Sequence, residues 1–141
     1  MPHSDTIPVS ASIASTGKGI RYIGEHCYAF SGNHQISSSS AVDHLSFTTG
    51  TGYILAELNC NGSTSDGDTG SGQSSLFHIN FNDLIVAVLK TETSQEDMPA
   101  DTSTKIIIPP LTTVKIDVLS SSGSAGFETS VVLTGRVYGA E

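Results

Sequence analysis

The residues best suited to metal binding or acid–base chemistry in this chain are its five histidines: His3, His26, His34, His44 and His78. No two of them stand two or four positions apart, so the sequence offers none of the paired imidazoles that zinc motifs use. A serine nucleophile would also lack its usual setting, because no G-x-S-x-G turn is present. The sequence therefore predicts no catalytic residue, no metal and no cofactor.

The loop at 61–75 contains the other candidate, the pair Asp66 and Asp68 in S-D-G-D-T-G-S-G. Calcium prefers oxygen ligands on flexible loops. However, a glycine separates the two acids and no glutamate closes the loop, so the twelve-residue calcium pattern is not met. We interpret the loop as a solvated tip, with calcium or receptor binding as the alternative.

Two cysteines, Cys27 and Cys60, lie in apolar-rich segments and fit no metal-ligand spacing. A free, buried thiol is the favoured interpretation for each, because buried cysteine behaves as a small apolar residue. A disulfide between them is the alternative.

Charge excludes several kinds of partner. The chain has 141 residues, with 6 Lys and Arg against 14 Asp and Glu, and a formal net charge of −8. Nucleic acid and anionic membranes both attract basic surfaces, so neither is an expected partner. The N-terminus shows no signal-peptide pattern, and no segment approaches the roughly 20 apolar residues of a membrane span. We therefore expect synthesis in a cytoplasm and retention there until assembly or lysis.

The apolar pattern predicts strands throughout and no helix. Alternation is clear at 112–119, where Val114, Ile116 and Val118 share one face. The double proline Pro109–Pro110 ends the strand before it, since proline cannot donate to a ladder. The predicted strands are 20–30, 43–49, 53–60, 76–81, 84–90, 106–108, 112–119 and 128–139. The run L-I-V-A-V-L at 84–89 is apolar on both faces, which predicts the central, most buried strand.

These elements predict an all-β fold, an eight-stranded antiparallel jelly-roll β-sandwich spanning residues 20–141 as one domain. An immunoglobulin-like sandwich is the weaker alternative, because the chain contains no tryptophan. Residues 1–19, with widely spaced Ile7, Val9 and Ile13, are predicted to form an extended N-terminal arm along a neighbouring subunit. A frayed terminus is the alternative.

Several strands carry more apolar residues than a sandwich needs, since each sheet buries only one face. The surplus residues are Tyr22, Tyr28, Leu55, Leu119 and Tyr138. In the last strand, Arg136 faces outward beside Tyr138. Apolar and tyrosine side chains on an outer face suit a subunit interface, although a few exposed apolar groups are also ordinary.

The segments I-I-I-P-P-L-T-T-V-K-I, T-S-V-V-L-T-G-R-V-Y-G and F-T-T-G-T-G-Y-I-L-A-E-L resemble the capsid decoration, or minor capsid, proteins of tailed phages and related viruses. The resemblance covers most of residues 20–139. It implies a tumour-necrosis-factor-like jelly roll and a homotrimer seated on the major capsid protein of a virion, made in the host cytoplasm. It also implies an arm that reaches the shell or a neighbour, and no catalysis. The loop at 61–75 departs from this pattern.

The first hypothesis is therefore a bacteriophage or viral structural protein that trimerises and cements neighbouring capsomers. The second is a carbohydrate- or receptor-binding β-sandwich. Such sites usually rely on aromatic side chains, and the chain has only four tyrosines and no tryptophan. The third, a small cupin-like enzyme, is disfavoured because its histidine and glutamate ligands would lack the needed spacing.

Overall fold

The computed structural model describes residues 19–36, 40–63, 73–93, 100–120 and 127–139, and all regular structure in these ranges is β-strand. The strands are β1 (Arg21–Ile23), β2 (His26–Phe30), β3 (His34–Ile36), β4 (Val42–Thr48), β5 (Tyr53–Ser63), β6 (Gln73–Phe81), β7 (Leu84–Thr93), β8 (Ala100–Ile108), β9 (Thr113–Ser120) and β10 (Phe127–Tyr138). Within the described ranges, no helix has the length and apolarity needed to cross a bilayer.

Two antiparallel sheets face each other. The larger sheet has the order β1-β2-β10-β5-β8, and β3 also pairs with β10. The smaller sheet has the order β4-β9-β6-β7. The predicted all-β antiparallel jelly-roll sandwich is confirmed. The described ranges hold ten strands instead of eight because the first predicted strand is split into β1 and β2, and because β3 forms in a segment predicted to be loop.

The core lies between the sheets and is built by alternation. On β5, Ile54, Leu58 and Cys60 are buried, and they belong to the same apolar core as Ile116 and Val118 of β9. The double proline acts as a corner, because β8 ends in the larger sheet at Ile108 and β9 begins in the smaller sheet at Thr113. Both cysteines are buried and free, as predicted.

The N-terminal hairpin corrects one prediction. Gly24, with φ of 60°, and Glu25 form a turn, and β1 folds back on β2 so that Tyr22 pairs with Cys27. One continuous strand would place Tyr22 on the same face as Tyr28, but the turn places it on the opposite, core-facing side. The predicted position of Tyr22 on the outer face is therefore wrong. Tyr22 packs against the core, and its hydroxyl is buried without a hydrogen-bond partner among the described residues. Burial, and then the nearby Cys27, raise the pKa of this phenol.

The position of strand β7 corrects a second prediction. Its apolar residues predicted the central strand, but β7 is the last strand of the smaller sheet and pairs with β6. Leu84 and Ile85 are 68% and 53% exposed. The predicted turn at Asn82 and Asp83 is present, and both residues have positive φ, as a tight hairpin turn requires.

Two sets of sequence predictions fall outside the described residues. The arm residues Ile7, Val9 and Ile13 are among them, although Gly19 at the end of the predicted arm is described and buried. Asp66 and Asp68 of the 61–75 loop also lie outside.

Candidate functional site

The outer face of the larger sheet is the candidate site. Side chains from four neighbouring strands form rows across it, because antiparallel partners point to the same side. One row consists of His26, Arg136, Leu55 and Ile107. The next row consists of Tyr28, Thr134, Glu57 and Lys105. The face therefore alternates between aliphatic, aromatic and charged groups rather than being uniformly polar.

Aromatic pairs stand at two places on this face. Tyr53 and Tyr138 are cross-strand partners whose rings stack with centroids 5.5 Å apart and an interplanar angle of 19°. They are 38% and 37% exposed, so their apolar surfaces are open to solvent. On β2, the rings of Tyr28 and Phe30 lie 5.0 Å apart.

Arg136 links the tyrosines to the N-terminal hairpin. Its guanidinium carbon lies 5.7 Å from the centroid of the Tyr138 ring, and its Nη2 donates to Oε1 of Glu25 at 2.5 Å. Both ionic side chains are about half exposed, so the ion pair adds little to stability. Its main effect is to fix the direction of the Arg136 side chain over the sheet.

A groove of about 590 Å³ runs along the same face. Leu55 and Ile107 provide aliphatic surface, while Glu57, Lys105 and Arg136 provide charge. Gly135 has no Cβ, and this allows β10 to lie close to β5. A Cβ added at this position would meet the Leu55 carbonyl oxygen at 2.6 Å.

The structure brings together four of the residues predicted for an interface: Tyr28, Leu55, Arg136 and Tyr138. Leu119 lies apart from them, on the outer face of the smaller sheet, where it pairs with Leu76. The same outer face of the larger sheet also exposes Phe30, Tyr53 and Ile107. The sequence prediction included none of these three, although Tyr53 shares its parity with Leu55 on β5.

Of the four histidines in the described ranges, His34 and His44 have ring centroids 5.0 Å apart, whereas His26 and His78 lie on different sheets. His44 is buried; its Nδ1 donates to the Val42 carbonyl at 2.9 Å, and its Nε2 lies 2.8 Å from Oγ1 of Thr129. His78 bonds to Asp117 at 3.2 Å on the smaller sheet. Across the described part of the chain, no three His, Cys, Asp or Glu side chains are grouped so as to hold a metal.

Burial makes the two thiols poor nucleophiles. It raises the pKa of Cys27 and that of Cys60 to about 12, because the thiolate would lose its hydration. At neutral pH both therefore remain protonated.

Comparison with known proteins yields structural likeness alone. No family model matches the chain, and no curated protein matches it. A chain of infectious bursal disease virus, strain Gx, is 13% identical with a TM-score of 0.49, covering 81% of this chain and 32% of that one. Eiger TNF from S. frugiperda is 13% identical with a TM-score of 0.46, covering 81% and 94%. The xylan-binding module CBM15 is 13% identical with a TM-score of 0.37, covering 89% and 87%.

The chain spans about a third of the length of the bursal disease virus chains that it resembles. At these identities and TM-scores, none of the likenesses supports a particular function.

Proposed function

We propose that this protein is a structural subunit of a virus particle, a capsid decoration or minor capsid protein that self-assembles as a trimer and cements neighbouring capsomers. The observation that carries the proposal is the outer face of the larger sheet. There, Tyr28, Leu55 and Tyr138 remain exposed or half-exposed after the core is complete.

The composition of this face suits a contact between proteins. Interface centres are enriched in aromatic residues and arginine, and tyrosine and arginine are frequent binding hot spots. Tyr138 and Arg136 lie side by side here, with Tyr53 stacked beneath the same ring. Charged groups such as Glu57 and Lys105 border the aliphatic residues, as polar groups do at interface rims.

In this proposal the trimer contact lies on this face, and residues 1–19 contact the shell, as the resemblance implies. The trimer itself follows from the sequence resemblance to decoration proteins with a tumour-necrosis-factor-like jelly roll.

Light scattering after size exclusion tests the assembly state. The proposal expects a trimer at micromolar concentration, and a clean monomer would contradict it. Mass spectrometry and electron microscopy of a purified particle test the location: the protein should copurify with capsids and occupy density on their surface.

One observation favours a second candidate, a carbohydrate- or receptor-binding module. The stacked rings of Tyr53 and Tyr138 form a partly exposed aromatic pair beside a groove that also presents Glu57, Lys105 and Arg136. Sugars are bound by aromatic rings with polar neighbours. A glycan array separates the two candidates, because binding lost in Tyr53→Ala and retained in Leu119→Ala would support the second one.

A further inference from the structure

Two histidine rings lie against each other where β3 pairs with the first residues of β10. The centroids of the His34 and His44 rings are 5.0 Å apart, with an interplanar angle of 57°. His34 is the first residue of β3 and pairs with Thr129 of β10 in the larger sheet, whereas His44 belongs to β4 of the smaller sheet. The ring pair therefore joins the two sheets, and a charge on one ring acts directly on the other.

Hydrogen bonds fix the position of the proton on each neutral ring. Because a carbonyl oxygen can only accept, Nδ1 of His44 donates to the Val42 carbonyl at 2.9 Å. For the same reason, Nε2 of His34 donates to the Ser31 carbonyl at 2.8 Å. The other nitrogen of His44, Nε2, lies 2.8 Å from Oγ1 of Thr129 and accepts the proton of that hydroxyl. The neutral form of His44 thus has a hydrogen bond at both nitrogens.

Protonation of His44 would disrupt this arrangement. Its Nε2 would become a donor, so the Thr129 hydroxyl would have to turn its own proton away. Thr129 is 1% exposed, and within the described ranges its hydroxyl has no hydrogen bond other than the one to His44. His44 is itself 0% exposed, so a charge on its ring would lose the hydration that it has in water. Transfer of a charge into such a site is unfavourable.

The ionisable groups around the two rings fall into two sets. Inside the core, burial raises the pKa of three groups, which stay uncharged at neutral and mildly acidic pH: Tyr22, Cys27 and Cys60. The acidic side chains of the surrounding strands are Asp43 of β4, Asp117 of β9 and Glu128 of β10, while β3 and β6 contain none. Each acid stands next to a buried residue of its strand and therefore points to an outer face, since side chains alternate.

We propose that His34 and His44 form a pH switch that keeps β3 closed over the core in neutral solution and lets it open in mild acid. A proton on His34, which is partly exposed, places a positive charge beside the buried ring and makes protonation of His44 still less favourable. Separation of β3 from β4 exposes both rings to water and lets His44 bind a proton.

The direction of the pH dependence follows from this proton uptake. The open state binds more protons than the closed state, so closure is fully stable above about pH 6.5, the ordinary histidine value, and weakens as pH falls below it. The switch lies in the core and does not depend on the contact proposed for the outer face of the larger sheet.

Hydrogen exchange of the full chain tests the switch. After correction for the pH dependence of the exchange chemistry itself, the opening constant of amides in His34–Ile36 should rise up to about tenfold for each pH unit below about 6, because opening takes up one proton. Amides of β5 at 55–57, which pair with the other end of β10, should show no comparable rise. An opening constant for β3 that does not change between about pH 7 and 5 would overturn the proposal.

Glutamine substitutions identify the groups that take up protons. His44→Gln removes the buried ring, so the opening constant of β3 should become independent of pH whatever the overall stability of the variant. His34→Gln keeps an amide that can donate to Ser31 but removes the neighbouring charge, and the rise in opening between about pH 7 and 5 should shrink about threefold or more. His78→Gln is the matched control, because His78 bonds to Asp117 on the outer face of the smaller sheet and should leave the rise unchanged.

The variants separate the two rings. A rise that persists in His44→Gln would overturn the role of His44, and a rise that is unaltered in His34→Gln would overturn the pairing. If His44→Gln does not fold, imidazole nitrogen shifts of the original protein take its place. They should show His44 neutral in the closed state down to the pH at which β3 opens, and a protonated His44 in the closed state would overturn the switch.

Discussion

Tyr53 and Tyr138 stack across β5 and β10, with ring centroids 5.5 Å apart. The guanidinium of Arg136 lies over the Tyr138 ring, 5.7 Å from its centroid, and forms an ion pair with Glu25. Each ring is therefore oriented by a neighbour before any partner binds. Side chains fixed in this way lose little conformational freedom on association, which favours tight contact.

Tyr138→Ala should weaken assembly without unfolding the subunit. The ring contributes exposed apolar surface, and truncating a hot-spot tyrosine costs about 2 kcal/mol or more, which corresponds to roughly a thirtyfold rise in the dissociation constant. Light scattering over a dilution series measures the change. Leu119→Ala is the matched control, since Leu119 lies on the outer face of the other sheet. An unchanged oligomer in Tyr138→Ala would remove this face from the trimer contact.

Gly135→Ala should destabilise the fold. The added Cβ would meet the Leu55 carbonyl oxygen at 2.6 Å and Ile54 Cγ2 at 2.9 Å, and the first of these is backbone in a central strand pair. Overpacking of this kind costs about 1–3 kcal/mol. Urea unfolding followed by circular dichroism measures it. Thr134→Ala, on the exposed face of the same strand, should stay within about 0.5 kcal/mol of the original protein.

The correct sequence predictions came from alternation. Val114, Ile116 and Val118 are all buried because a half-buried strand repeats every two residues, and the double proline marks the passage between sheets. Alternation also set Arg136 and Tyr138 outward, because Val131 and Leu133 of the same strand had to face the core. The candidate face could therefore be predicted in part.

The errors arose where alternation carries no information. A glycine inside an apolar segment is compatible with a strand or a turn, and the turn at Gly24 and Glu25 reversed the parity of Tyr22. A run that is apolar on both faces is compatible with a central strand and with an edge strand. The position of β7 could therefore be known only from the strand pairing of the whole sheet. Neither the turn at Gly24 and Glu25 nor the edge position of β7 could be predicted from the strand propensity of the residues concerned.

The buried thiols should make the protein sensitive to alkali. Burial raises the pKa of Cys27 and Cys60 to about 12, above their ordinary value of 9.0. The unfolded chain therefore releases these protons first as pH rises. The contribution of the two thiols to the free energy of unfolding is fully present below pH 9.0 and is lost progressively between pH 9.0 and about 12. Urea midpoints measured from pH 7 to 11 should fall over this window.

The Cys27→Ala/Cys60→Ala variant should show a shallower fall with pH, even though its stability at pH 7 is lower because of the lost side-chain volume. A slope equal to that of the original protein would assign the alkaline sensitivity to other groups. A thiol reagent at pH 8 should react with neither cysteine until denaturant is added, and should then detect both.

The hydrogen bond between His44 and Thr129 joins the two sheets inside the core. Because Nδ1 of His44 donates to the Val42 carbonyl, its Nε2 accepts from the Thr129 hydroxyl in the neutral ring. Thr129→Val keeps the shape of the side chain but leaves that buried acceptor without this donor, which should cost about 1–3 kcal/mol in urea unfolding. Thr129→Ser retains the hydroxyl and should cost less. Nitrogen chemical shifts of the imidazole should report an Nδ1–H tautomer in the original protein. A serine variant less stable than the valine variant would show that the methyl group of Thr129 contributes more than its hydroxyl at this point.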